Sequence, residues 1–332
     1  LGVVPEGTLL SPRNPGVEAW ADLSGAQRSL YARMQEAFAG FLDHTDDQIG
    51  RFIDFLTTID VLDDTLLVLL SDNGASQEGG KHGTLNELAY FNRIRTPVES
   101  MLDRVDEIGG PNIDNNYPWG WAQAGNTPLR FYKQNTYEGG IRDPLIVRWP
   151  RGIRDGGGIR NQYHHVSDVL PTVLECVGIE APSVHQGVSQ QPVEGMSFKY
   201  TFDSRETPGR KETQYYEMIG HRAIWHRGFK AVTLHRAGTP FSEDEWALYD
   251  TESDFAECED LAAIWPEKLR ELVDRWWVEA GRYNVLPLDD RTGGETGRRP
   301  GREPPGNRQR FLPTLPHLDR TKTPDIRHGA FT

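Results

Sequence analysis

The stretch LLVLLSDNGAS, Leu66–Ser76, decides the fold class. The run Thr65–Leu70 is apolar, has the length of a strand and shows no alternation, which is typical of a parallel strand covered on both faces. Asp72 and Asn73 follow at its carboxyl end, where ligands bind in open α/β sheets. Their side chains offer two hard oxygen ligands suited to Ca²⁺ or Mg²⁺. Gly74 would let the backbone turn sharply, and an Asx turn that merely ends the strand stays open as the alternative.

The elements around this strand predict a layered α/β protein. Ser24 and Gln27 form a capping-box pattern, and apolar residues at roughly helical spacing continue to about Thr58. A second apolar run, Pro144–Trp149, predicts another buried strand. Helix and buried strands together indicate a doubly wound, mostly parallel sheet. The long segment between the strands, residues 73–142, is rich in Gly, Asn and Trp, which favours an ordered functional loop.

The pattern changes in the C-terminal part. Short strand candidates at close spacing from Thr213 to Asp250 predict a smaller antiparallel sheet, and Pro266–Ala280 predicts a helix with proline at its start. We therefore expect a partial α/β domain at residues 1–200 and a sheet-and-helix subdomain at residues 201–290. Residues 291–332 are basic and rich in Pro and Gly, so we expect a linker or an extended tail.

Composition excludes several classes of function. The formal net charge of −13 argues against a nucleic-acid partner, because phosphate binding needs a basic face. No apolar run is long enough to cross a membrane. The N-terminal residues lack the pattern of a signal peptide. Because we expect any signal peptide to lie upstream of this chain, cytoplasmic and periplasmic locations both stay open. Cys176 and Cys258 form no CxxC pair and suit a reducing compartment or one optional disulfide.

Several motifs together resemble the sulfatase family within the alkaline phosphatase superfamily. TLLVLLSDNGAS is followed by EGGKHG and then by FYKQNTYEGGIRDPLIVRWP. The similarity continues through HVSDVLPTVLECVGI, WALYDTESD and EKLRELVDRWWVEAGRYNVLPLDD, so it covers most of residues 25–291. Among family members the sequence is most similar to the long bacterial arylsulfatases. The resemblance implies an α/β sheet of alkaline-phosphatase type, incomplete in this chain.

The resemblance also implies roles for individual residues. Asp72 and Asn73 match the pair that supplies two ligands to one Ca²⁺. Lys133, in KQNTYEGG, matches a lysine that contacts the sulfate group, and an ammonium there stabilises the charge that develops as the S–O bond breaks. His82 is a weaker candidate for the wall of the substrate site, since functional residues concentrate on loops. The implied substrate is a small sulfate ester, in particular an aryl sulfate.

The nucleophile that the family uses has no counterpart in this sequence. The family converts a Cys or Ser in a C/S-x-P-x-R stretch into formylglycine, and neither Cys176 nor Cys258 lies in such a stretch. Asp72 and Asn73 also supply only part of the six to eight oxygens that Ca²⁺ takes. We therefore expect an internal or C-terminal portion of an arylsulfatase, inactive alone, whose partner is the missing N-terminal half of the same protein.

Two other functions stay open at this point. A phosphatase or phosphodiesterase of the same superfamily would bind two metal ions, and a non-catalytic remnant or binding module would use the antiparallel sheet and the basic tail. The segment between the two predicted strands, residues 73–142, is called the insertion below. It contains four aromatic residues that either line an aryl-binding wall or pack the insertion itself: Trp119, Trp121, Phe131 and Tyr132.

Overall fold

The computed structural model describes residues 2–92, 94 and 96–291. Within them lie seven α-helices: α1 Gly25–Thr58, α2 Glu87–Phe91, α3 Val98–Leu102, α4 Trp119–Gly125, α5 Glu138–Ile141, α6 Val169–Val177 and α7 Pro266–Arg282. The same residues form eight strands: β1 Leu67–Leu70, β2 Leu145–Arg148, β3 Val184–His185, β4 Val188–Ser189, β5 Thr213–Met218, β6 His221–His226, β7 Phe229–Thr233 and β8 Ala247–Asp250. Each described helix is too short or too polar to cross a bilayer. All but the first residue of the predicted tail, residues 292–332, lies outside the described residues.

Helix α1 begins and ends where the sequence predicts. Ser24 Oγ accepts a hydrogen bond from Gln27 N at 3.1 Å, and Gln27 Oε1 accepts one from Ser24 N at 2.9 Å, which completes the capping box. The N-terminal half of the helix buries Leu30 and Met34 completely. Further along, apolar side chains of the predicted stripe are only half covered by the described residues, as the 53% exposure of Phe52 shows.

The predicted parallel arrangement of the two apolar runs is wrong. β1 and β2 pair antiparallel, with Leu70 opposite Leu145, and Ser71 N donates to Pro144 O at 3.2 Å. The end of β1 lies next to the start of β2, because the long segment between them returns to the same edge of the sheet and does not cross over it. The expected covering of both faces is also not found among the described residues, since Leu69 is 46% and Ile146 is 60% exposed.

The C-terminal sheet and helix confirm the sequence prediction. β5, β6, β7 and β8 form an antiparallel sheet in that order. α7 packs on this sheet and buries Leu272 and Trp276 against Ile224 and Leu248. The α/β class with a C-terminal antiparallel sheet and helix is therefore confirmed, whereas the domain boundary near residue 200 stays a prediction.

A separate core cluster joins the two parts of the chain. Phe131 and Tyr137 from the insertion pack with Ala223, Val232 and Tyr249 of the C-terminal sheet. The segment that carries Lys133 therefore rests on the antiparallel sheet.

Candidate active site at the end of strand β1

The loop after β1 carries the two predicted metal ligands. Ser71 Oγ donates to Asn73 O at 2.9 Å, and Asn73 Nδ2 donates to Gly74 O at 3.0 Å. These bonds stabilise the bend after the strand, but neither is the bond of an Asx turn, in which a side-chain oxygen of Asp or Asn accepts from a backbone N–H two residues on. The Asp72 side chain is exposed. The local bonds use the amide nitrogen and the backbone oxygen of Asn73 and not its Oδ1, so they are compatible with the predicted oxygen-donor role.

The sequence predicts Gly74 for a sharp backbone turn. In the structure the reason for glycine is close packing and not a left-handed backbone. Its φ is not among the positive glycine values of the described residues. A Cβ built at Gly74 would lie 1.8 Å from the carbonyl oxygen of Gly139, and Gly74 N donates to Gly140 O at 3.3 Å. The strand-end loop thus lies directly on the Glu138–Gly140 turn, which explains glycines on both sides of the contact.

Asn126 holds these two loops together. Its Oδ1 accepts from Ala75 N at 3.0 Å, and its Nδ2 donates to Gly139 O at 2.6 Å and to Phe131 O at 3.0 Å. One amide side chain from the end of α4 therefore satisfies three backbone groups of separate segments. A partly buried amide with both ends bonded fixes geometry more firmly than a fully exposed contact does.

Lys133 lies beside the strand-end loop, as the predicted site requires. Its backbone N donates to Ala75 O at 3.1 Å. Its Nζ donates to Glu78 Oε2 at 2.8 Å, and the side chains of Lys133 and Glu78 are 29% and 6% exposed. Ser76 Oγ bonds the same carboxylate oxygen at 3.0 Å. Glu78 therefore orients the ammonium group and offsets part of its charge.

A buried charge network supports the turn next to this loop. Glu138 is 3% exposed and pairs with Arg142 and, at 2.8 Å, with Lys230 Nζ of β7. Lys230 also lies 2.8 Å from Glu257 Oε1, and Glu257 Oε2 accepts from Glu138 N at 2.7 Å. Lys230, Glu138 and Glu257 are thus paired in the interior, whereas the side chain of Arg142 is 36% exposed and reaches Glu138 from the surface.

The pKa values in this network follow from burial and from the partners. Burial alone would raise the pKa of Glu138, but the charges of Lys230 and Arg142 lower it well below its usual value. The pKa of Glu257 is raised, because burial disfavours its charged form and Lys230 offsets only part of that effect. Glu138 therefore carries the negative charge that balances the two cations most firmly.

Asp143 adds a further acidic group near the predicted metal ligands. Burial, together with the negative charges of Asp72 and Glu138, raises the pKa of Asp143 to about 7. Among the residues that the structure describes, no three His, Cys, Asp or Glu side chains form a group that could hold a metal ion. Asp72 and Asn73 fit Ca²⁺ in the kind of oxygen that they offer but supply only part of its coordination shell.

The structure places His82 against helix α1. Its Nδ1 lies 2.6 Å from the hydroxyl of Tyr31, and the two rings stack with centroids 6.4 Å apart. Burial and the charge of Lys81 lower the pKa of His82. These contacts are those of a packed, neutral histidine, and none of them joins it to Asp72, Asn73 or Lys133.

The aromatic residues of the insertion divide into two groups. Phe131 and Tyr132 are core residues, with exposures of 7% and 6%. Trp119 and Trp121 line a cavity of about 500 Å³ whose wall also includes Tyr31. Trp119 Nε1 donates to Gln77 O and Trp121 Nε1 to Tyr31 O, both at 2.9 Å. All four residues pack, because Trp119 and Trp121 also lie against the core cluster that contains Tyr132, and an aryl-binding role for the two tryptophans stays a prediction.

Sequence reasoning missed the residues that hold the site in place: Glu78, Asn126, Lys230 and Glu257. Glu78 alone had a local signal, because it lies in the EGGKHG stretch that follows the strand-end motif. The others come from distant segments with ordinary sequence contexts.

Two family profiles match this chain. The sulfatase family profile matches residues 13–179, and the profile described as N-sulphoglucosamine sulphohydrolase, C-terminal, matches residues 129–274. An uncharacterised sulfatase of Schizosaccharomyces pombe is 32% identical over 294 residues, which cover 87% of this chain and 51% of that protein. The arylsulfatase of Klebsiella aerogenes is 27% identical over 58% of this chain and 39% of its own length.

A solved structure shows the same fold. The crystal structure of Ps i-CgsB superposes with a TM-score of 0.50 at 17% identity, over 86% of this chain and 51% of that chain. This chain spans about half the length of the first two relatives or less. The predicted α/β fold of alkaline-phosphatase type is confirmed. From the profile match and the relatives, the chain belongs to the sulfatase family.

Proposed function

We propose that this chain carries part of the catalytic centre of an enzyme that hydrolyses sulfate monoesters, with aryl sulfates as the substrate class. The observation that carries the proposal is the pair of backbone contacts that join the loops: Lys133 N to Ala75 O and Gly74 N to Gly140 O. They hold the segment with the ammonium group beside the loop with Asp72 and Asn73. The name of the Klebsiella relative, an arylsulfatase, supports the aryl class.

The charges at this edge suit a sulfate ester. The ester carries negative charge on its sulfate oxygens, and the leaving oxygen gains more as the S–O bond breaks. In the proposal, Lys133 binds a sulfate oxygen through Nζ and stabilises that charge in the transition state. Glu78, 2.8 Å from Nζ, keeps the flexible lysine side chain in one orientation before substrate arrives.

Asp72 and Asn73 are the residues that would hold Ca²⁺, through a carboxylate and an amide oxygen. When bound, Ca²⁺ supplies positive charge that neutralises the sulfate oxygens. The remaining ligands and the formylglycine nucleophile would come from outside this chain, whose sequence has no C/S-x-P-x-R stretch. The chain alone is therefore proposed to be inactive.

An assay with 4-nitrophenyl sulfate and Ca²⁺ tests these statements. We expect no turnover by this chain alone and turnover by the whole protein of which it is proposed to be part. Lys133→Ala in the whole protein should lower kcat/KM by about 10²–10³-fold. Lys199→Ala removes a lysine that is paired with Glu175 on another surface and serves as the control.

Two results would contradict the proposal. Turnover by the chain alone would refute its proposed inactivity. An unchanged kcat/KM in Lys133→Ala would refute the proposal that Lys133 binds the sulfate group. Calcium titration of the whole protein tests the metal ligands separately. Asp72→Ala should weaken Ca²⁺ binding at least about tenfold, whereas Asp47→Ala, on the exposed face of α1, should leave it unchanged.

A further inference from the structure

We propose that Lys230, in the C-terminal sheet, is a positioning residue for the candidate active site and fixes the strand-end loop through Glu138. This inference rests on the proposed function for its meaning in catalysis. The structural coupling itself, between β7 and the loop at residues 71–76, stands on contacts that involve neither metal nor substrate.

The first step of the coupling is the burial of Lys230. Its side chain is 0% exposed, and its Nζ lies 2.8 Å from Glu138 Oε1 and 2.8 Å from Glu257 Oε1. These two carboxylates are 4% and 0% exposed. Removing the ammonium group would leave two acidic side chains close together in the interior, which is far more costly than losing a surface ion pair. Glu138 and Glu257 would have to move apart or take up a proton.

The second step is the connection from Glu138 to the loop. Glu138 is held twice by the C-terminal part, through its side chain by Lys230 and through its backbone N by Glu257. The next two residues make the contacts with the site: Gly139 O accepts from Asn126 Nδ2 at 2.6 Å, and Gly140 O accepts from Gly74 N at 3.3 Å. A displacement of Glu138 therefore reaches Gly74 within two peptide units.

A second buried cation in the same sheet provides a matched control. Arg222 of β6 is 1% exposed and pairs with Asp244, which is 4% exposed. Its other contacts are with Phe241 O at 3.2 Å and with the rings of Phe241, Trp246, Trp276 and Trp277. These partners all lie in the C-terminal subdomain, so losing Arg222 should destabilise the sheet without a direct effect on the loop after β1.

The experiment compares hydrogen exchange in Lys230→Met and Arg222→Met. The readout is the exchange of the loop at residues 71–76, where Gly74 N and Ala75 N are protected by Gly140 O and Asn126 Oδ1. Under conditions in which both variants are folded, Lys230→Met should speed this exchange at least about tenfold and Arg222→Met should not. If Lys230→Met does not fold, Glu257→Gln weakens the same network, because an amide replaces the carboxylate that contacts Lys230 Nζ and Glu138 N, and it should give a smaller increase.

The outcomes separate this inference from the proposed function. Equal exchange of the loop in the two variants, or no increase in Glu257→Gln when Lys230→Met cannot be prepared, would refute the positioning role of Lys230. In the whole protein, Lys230→Met should also lower kcat/KM for 4-nitrophenyl sulfate more than Arg222→Met does. An inactive wild-type protein that still shows the exchange difference would instead refute the proposed function and leave the coupling in place.

Discussion

Replacing Gly74 by alanine tests the central packing contact of the candidate site. The new Cβ would lie 1.8 Å from Gly139 O and 2.9 Å from Gly139 C, so the clash is with backbone and no side-chain rotation relieves it. The two loops must separate until the Cβ–oxygen distance is at least about 3 Å. That movement removes the Gly74 N–Gly140 O bond and strains the two Asn126 bonds to Gly139 O and Ala75 N.

The expected loss of stability follows from these bonds. At about 1 kcal/mol for each, Gly74→Ala should lower the free energy of unfolding by about 2–3 kcal/mol. Urea denaturation followed by tryptophan fluorescence measures the change. Gly40→Ala is the control, because a Cβ at this helical position meets nothing within 4 Å. It should stabilise the chain by about 0.5–1 kcal/mol.

One result would refute the reasoning about Gly74. If Gly74→Ala unfolds at the same urea concentration as the wild type, the loops are not in the close contact that the structure shows. Gly74 would then serve only as part of the turn.

Two further predictions concern stability. Asn126→Ala should lower the free energy of unfolding by about 2–4 kcal/mol, because three backbone groups lose their partner. Urea denaturation measures the change, with Asn92→Ala, which loses one exposed bond to Leu88 O, as the control. An effect of Asn126→Ala no larger than that of Asn92→Ala would contradict the prediction. Burial alone would raise the pKa of Asp168, but bonds from His164, Lys211 and two backbone N–H groups lower it far below its usual value. Because the folded-state pKa is the lower one, this stabilisation is present above about pH 4 and is lost as the pH falls toward the folded-state value. Asp168→Asn should therefore flatten the fall in unfolding free energy between pH 6 and pH 3, and an unchanged slope would contradict the prediction.

The sequence predicted those parts of the fold that depend on local patterns. The capping box at Ser24 and Gln27, the strands between Thr213 and Asp250 and the helix after Pro266 are all found. Each depends on hydrogen bonds or apolar spacing between residues near in the chain, so a short window contains the information. The same holds for the strand before Asp72, which exists although its pairing was predicted wrongly.

The direction of strand pairing could not be read from apolar runs. Runs without alternation are typical of parallel strands, but β1 and β2 have this composition and pair antiparallel. The path of residues 71–144 decides the direction, because it returns the chain to the end of the strand that it left. Such a path depends on many contacts and not on the composition of either strand.

For the candidate site, the sequence by itself determined the chemical groups: a carboxylate and an amide after a strand, and a lysine in a motif shared with sulfatases. Only the tertiary structure decided what holds them in place. Lys133 meets Glu78 across 55 positions, Glu138 meets Lys230 across 92, and Glu138 N meets Glu257 across 119. The physical reason is that periodicity and turn chemistry act over a few residues, whereas a buried charge needs a partner wherever in the chain the fold brings one within hydrogen-bond distance.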